Sequence, residues 1–204
     1  MTIRKGEPWG SVGPLPPATV RVRSDAEVRG VIAAARAAGT APPPVALLGG
    51  SLMRAVGGTG DERRLDGEVA ILPVDVVRVE LDDLETWCVA HVVARRTWWR
   101  GELVAVMNAE FLGSWDVAPR GHPNDGRVDV VEVDATMSVR DRWRARGRLP
   151  SGTHVPHPAI RVRQRDTFER SFDRPMSIRV DGVDAGVSRR LRCVVEPDAL
   201  VVCV

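Results

Sequence analysis

The sequence predicts an α+β protein, a reduced α/β layer followed by a β-sandwich. Two observations predict it. Between residues 18 and 58 the chain reads strand, helix, strand, glycine pair and short helix, which is half of an open α/β layer. From about residue 71 it turns into short β-rich runs separated by breaks, with one helix among them, the pattern of a sandwich. The expected units are an irregular arm at 1–17, the α/β layer at 18–70 and the sandwich at 71–204.

Each element has a local reason. The first 17 residues are rich in Pro and Gly without periodicity, hence the arm. ATVRVR (18–23) has the β-branched character of a short strand. Ser24-Asp25-Ala26-Glu27 is a capping box, in which Ser24 and Glu27 satisfy free N–H groups at a helix start. Val28, Val31, Ile32 and Ala35 then share one helical face, and Gly39 supplies the stop. After three prolines, VALLGGSLMRA gives a buried strand, the pair Gly49-Gly50 and a short helix, and Gly60 to Gly67 is turn-like. Strands are expected over 74–81, 85–96, 102–108, 127–133, 159–164, 176–181, 186–196 and 200–204, with a helix over 138–147. In the second of these runs Trp87, Val89, His91 and Val93 share one face and Cys88, Ala90, Val92 and Ala94 the other. Both faces are mostly apolar, so a single strand buried on both sides is expected.

Composition narrows the function. Of 204 residues 44% are hydrophobic and 27% charged, ordinary for a globular chain with a real core. No apolar run is long enough for a transmembrane helix, and the N-terminus lacks a secretory h-region. Cys88, Cys193 and Cys203 show no metal spacing, which points to a reducing, cytoplasmic setting. With 29 basic against 27 acidic residues, nucleic acid is not expected as the main partner.

Several segments could carry chemistry. Gly49-Gly50-Ser51, where a strand yields to a helix, could let a phosphate approach the backbone, or could be a plain turn. No P-loop is present, and no Gly-x-Ser-x-Gly or His-Glu-x-x-His motif supports a hydrolase. Pro123-Asn124-Asp125-Gly126 reads as a β-turn, to which the Asp125 carboxylate could add a hard cation. Asp181-Gly182 has the same double reading. His154 and His157, with His122, could ligate zinc, but Pro156 and Pro158 prevent a helix, and surface or strand-edge histidines are the plainer reading. His91 is expected to be a hydrogen-bonded core histidine.

Arg140, Arg142, Arg144, Arg146 and Arg148 crowd one helix, and Arg140, Arg144 and Arg148 fall on one face of it. With Arg161, Arg163 and Arg165 they form either a solvated face or an anion surface. Trp98-Trp99-Arg100 is either core packing or an exposed aromatic contact for a partner or, at most, a peripheral membrane contact.

Together these segments resemble the diacylglycerol kinase, sphingosine kinase and bacterial lipid kinase family, whose fold is related to NAD kinases. Leu72-Pro73-Val74-Asp75 and the TWCVAHVVAR strand are similar to that family's passage into its sandwich. VMNAEFLGSW, Ala118-Pro119 and Asn124-Asp125-Gly126-Arg127-Val128-Asp129 are similar to its central segment, and MSIRVDGVDAG with VVEPDALVVCV to its ending. The resemblance implies a lipid site held by the sandwich and a structural magnesium ion. That ion maps onto Asp125, with the backbone carbonyls of His122 and Arg127 as companions.

The departures are specific. The family's Gly-Gly-Asp-Gly-Thr loop for ATP is here Gly49-Gly50-Ser51-Leu52-Met53, and its Gly-Thr-x-Asn-Asp segment has no counterpart. Val183 stands where the family's "DGE" turn places a glutamate base, and a valine accepts no proton. Asp181 and Asp184 are the remaining candidates for that work. These losses weigh against ATP binding and against catalysis. The resemblance then implies a lipid-kinase-like protein that binds a lipid, another anionic small molecule or a partner. Two alternatives stay open: an active ATP-dependent kinase on a lipid or small alcohol, and an oligomeric subunit that complements a partner kinase.

Overall fold

In the computed structural model, which describes residues 8–204, one continuous sheet of eleven strands is the framework of the fold. Strand β1 (Ser11–Pro14) runs antiparallel to β4 (Glu68–Glu80). Part of the expected irregular arm is therefore an edge strand, where Pro14 deprives no inner ladder of a donor. Residues 1–7 of that arm lie outside the described residues.

The α/β layer forms as its pattern requires. Strands β2 (Val20–Val22) and β3 (Val45–Leu47) pair in parallel around helix α1 (Asp25–Ala37). The Ser24 side chain caps α1 by accepting the Glu27 N–H, while the Glu27 carboxylate accepts the N–H of Arg23. Val28 and Ile32 pack with Val45, Leu47 and Leu52, the last from the short helix α2 (Ser51–Ala55). A 3-10 turn at Glu62–Asp66 then leads into β4.

Next come β5 (Glu85–Cys88), β6 (His91–Arg95), β7 (Leu103–Met107), the hairpin β8 (Phe111–Leu112) and β9 (Trp115–Asp116), and β10 (Val128–Val133). Helix α3 (Val139–Arg148) precedes β11 (Ile160–Arg165), β12 (Thr167–Val180) and β13 (Val183–Cys203). The order β1-β4-β13-β12-β6-β7-β10-β11 brings Val77, Val106, Val130, Ile178 and Leu191 into one core. The sandwich is thus a single sheet folded over on itself. Strand β13 runs through it, bulges between Glu196 and Leu200, and ends parallel to β3, so the α/β layer and the sandwich share a strand.

The run 85–96 is two strands, not the single one expected. β5 pairs with β4, whereas β6 pairs with β12 and β7. The break falls at Val89-Ala90, whose N–H groups bind the Asp181 carboxylate instead of a neighbouring strand. The arginines also divide. Arg163 is opposite Val130, which faces the inner core, while Val162 is opposite Val131, which faces α3. Paired residues share a face, so Arg161, Arg163 and Arg165 stand on the side of the sheet away from α3. Among the described residues, no helix is long and apolar enough to cross a membrane.

Candidate functional site

The glycine pair has a structural job. Asp25, at the first turn of α1, reaches the start of α2 and accepts the N–H groups of Ser51 (2.7 Å) and Leu52 (3.0 Å). A Cβ on Gly50 would stand 2.3 Å from the Asp25 carboxylate, and one on Gly49 would stand 2.2 Å from the Arg23 carbonyl. The Ser51 hydroxyl accepts the N–H of Gly113. The amides that a phosphate would use at Gly49-Gly50-Ser51 are thus bonded to a carboxylate of the chain itself. In the sequence Asp25 stands out only as part of the capping box.

The Asp181 turn is equally occupied. Asp181 lies in the left-handed region (φ 49°), and its carboxylate accepts the N–H groups of Val89, Ala90 and His91 at 2.9–3.1 Å and the Cys88 thiol at 3.4 Å. Burial, and then Asp25, push its carboxyl up to about 6 against the three N–H groups that favour the ionised form. Asp184 is exposed and accepts the N–H of Gly186 in its own turn. Neither candidate base is presented to a cleft by this arrangement. His91 is buried as expected, but among the described residues its Nδ1 has no hydrogen-bond partner; burial lowers its pKa.

The Asn124-Asp125-Gly126 turn is clamped from beneath by Asp75, a residue with no exposed surface. Its carboxylate accepts the N–H of Gly126 (2.7 Å), the N–H of Asp198 (3.0 Å) and the Asn124 amide (3.4 Å). Asn124 also donates to Asp198, and its own Oδ1 is buried with no partner among the described residues. Asp125 accepts the N–H of Arg127 and the Gln164 amide. Close by, the buried Asp129 has its carboxyl pushed up to about 6, first by desolvation and then by the charge of Asp125. The two carboxylates and the backbone carbonyls around them are hard oxygen donors of the kind magnesium or calcium takes. Asp75 and Asp129 are not evident as site residues in the sequence because both sit inside strands.

The three histidines do not converge. His122 accepts the N–H of Asn124 and meets Trp9 edge-on at 4.5 Å, and His157 accepts the N–H of Ala159. His154 is buried elsewhere. Among the described residues, no group of three or more His, Cys, Asp or Glu could hold a metal ion.

His154 belongs to a feature that the sequence does not announce. A cavity of about 210 Å³ lies between α3, the β8–β9 hairpin and the outer face of β6, β7 and β10. Its walls are almost wholly apolar: Val93, Ala105, Val131 and Leu149 line it, with Trp98, Trp99 and Trp115. Arg142 closes one side, with its guanidinium on the carbonyls of Met137, Trp98, Gly101 and Asp134. Those bonds explain why a residue of the arginine-rich helix is buried: it ties α3 to the β6–β7 turn. Arg146 stands over the rings of Trp99 and Trp115 at 5.6 and 5.5 Å, and Trp98 meets Trp115 edge-on. Burial lowers the His154 pKa, so the neutral ring is favoured in this wall.

Residues 68–204 match the family model described as YegS C-terminal NAD kinase beta sandwich-like domain. Among curated proteins nothing matches. Solved structures are similar at the level of the fold. A diacylglycerol kinase from Bacillus anthracis str. Sterne shares 12% identity, covering 90% of this chain and 75% of its own, with a TM-score of 0.64. A second protein of that strain, assigned to the same activity, gives 12% identity, 90% and 76% coverage and a TM-score of 0.69.

Proposed function

The chain belongs to the family of the YegS C-terminal NAD kinase beta sandwich-like domain, and on that premise we propose that it is a lipid-kinase-like protein that binds a lipid and does not phosphorylate it. The observation that carries this reading is the apolar cavity under α3, walled by three tryptophans. An acyl chain suits such walls, and the pocket has few polar groups that would reward a sugar or a nucleotide. Three further observations support the loss of phosphoryl transfer. Asp25 holds the amides of Ser51 and Leu52, Val183 stands where the family resemblance expects a base, and the Asp181 carboxylate is committed to its own fold.

Two titrations test the reading. Diacylglycerol in mixed micelles is expected to change tryptophan emission saturably, and the change is expected to vanish when the cavity is filled by Ala105→Phe or, from the helix side, Ala145→Phe. Calorimetry of ATP titrated into protein already saturated with magnesium is expected to show no saturable heat. A lipid response that both filled variants retain would sink the lipid site. Transfer of labelled phosphate from ATP to diacylglycerol would restore the kinase reading.

The same proposal retains a structural magnesium ion. Asp125 would hold it with the carbonyls of His122 and Arg127, and Asp129 would supply a second carboxylate nearby. The mutual charge of Asp125 and Asp129 is what a cation would relieve. Magnesium is therefore expected to raise the Tm of the wild type, and Asp125→Asn to abolish that rise. An equal rise in the variant would place the ion elsewhere.

A further inference from the structure

Helix α3 has an inner and an outer side of very different character. Arg142 and Ala145, with Leu149 just past the helix end, line the cavity, whereas Trp143 is 68% exposed and Val139 44%. Trp143 shares a surface groove with Trp115, Arg144, Arg146 and Arg148. Beside the groove, Trp98 and Trp99 of the β6–β7 turn are more than a third exposed while also lining the cavity. The exposed indoles therefore form one belt along the rim of the cavity, a large apolar investment for a surface that meets only water.

Charge lies on the same belt. Helix α3 carries five arginines against one aspartate, and Asp141 is engaged by Arg144 at 3.7 Å and by the capping Ser138. Among the described residues, no carboxylate lies within ion-pair distance of Arg140, Arg146 or Arg148, nor of Arg96 and Arg100 in the adjoining turn. Indole rings settle at the boundary between headgroups and acyl chains, arginine pairs with phosphate, and a surface holding both suits the face of a bilayer. Nucleic acid would match the charge but not Trp143 and Val139 side by side. An acidic protein would match both less well, because the cavity rim opens among the same rings.

We propose that the outer side of α3 and the Thr97–Gly101 turn form a docking surface for an anionic lipid bilayer, which presents the cavity rim to the membrane. Its purpose rests on the lipid reading given above; the docking itself does not require a filled cavity.

The test uses the full chain with phosphatidylcholine vesicles, with and without phosphatidylglycerol, in a co-sedimentation assay. Binding is expected only with phosphatidylglycerol, and it is expected to weaken as salt rises. Trp143→Ser is expected to weaken it, and Arg140→Gln with Arg148→Gln to weaken it at least about tenfold. These side chains are exposed, so unchanged melting curves confirm that the variants stay folded. Ala105→Phe, which blocks the cavity, is expected to bind vesicles like the wild type, which separates this proposal from the lipid-site reading. Absence of binding, equal binding to neutral vesicles, or binding untouched by these substitutions would overturn it. So would a preference for a DNA duplex over the anionic vesicles.

Discussion

Replacing Asp181 by alanine is expected to lower the unfolding free energy by about 3–5 kcal/mol, the cost of leaving three buried N–H groups without an acceptor. Those N–H groups belong to Val89, Ala90 and His91, and no strand stands ready to take them. Part of the loss is also conformational, since residue 181 has φ 49°, where a Cβ is unwelcome. Asp181→Gly is therefore expected to be less damaging than Asp181→Ala by about 1 kcal/mol. Urea unfolding of the three proteins measures both differences. A loss below 1 kcal/mol for the alanine variant would mean that water replaces the carboxylate, and the turn would then not depend on it.

The second large effect is expected at Asp75. Asp75→Ala removes the acceptor for Gly126, for Asp198 and for the Asn124 amide at once, and about 2–4 kcal/mol of stability is expected to go with it. The damage is expected to stay local at first. Hydrogen exchange at the amides of Gly126 and Asp198 should accelerate far more than exchange within β7 or β10. Uniform acceleration across the sheet would show that Asp75 supports the whole sandwich and not the turn in particular.

The elements that were legible in the sequence are those whose cause is local. Val28, Ile32 and Ala35 form a stripe at helical spacing behind a capping serine, and that is sufficient to mark α1. Paired β-branched runs mark β7, β10 and β13 in the same way. The break at Val89-Ala90 was not legible, because its cause lies about ninety residues further along the chain, at Asp181. Arg142 is indistinguishable in the sequence from its four neighbours on α3, and only the carbonyls that converge on it from two segments, the β6–β7 turn and the stretch between β10 and α3, set it apart. The cavity is the extreme case. Trp98 and Trp99 could be flagged as an aromatic pair, but Trp115, His154 and Leu149 become neighbours only through the fold. The family's sandwich motifs carried the identification, as the match over residues 68–204 bears out. The Asp25 contact with α2 has no sequence signal beyond an acidic residue in a first helical turn.

Strand β13 has a consequence for how the molecule assembles in time. At Cys193 it lies between Val79 on one side and Phe168 on the other, and at Val202 it lies against Val45. Until it is in place, β4 and β12 each show an open edge and, among the described residues, β3 has β2 as its only neighbour in the sheet. Chains whose key contacts span such distances fold slowly, because loop closure must come before any pairing rewards it. The same open edges are templates for other chains during that delay. The interval before β13 pairs is thus the hazardous one for this protein, and shielding β4 and β12 until β13 arrives is expected to raise its folding yield.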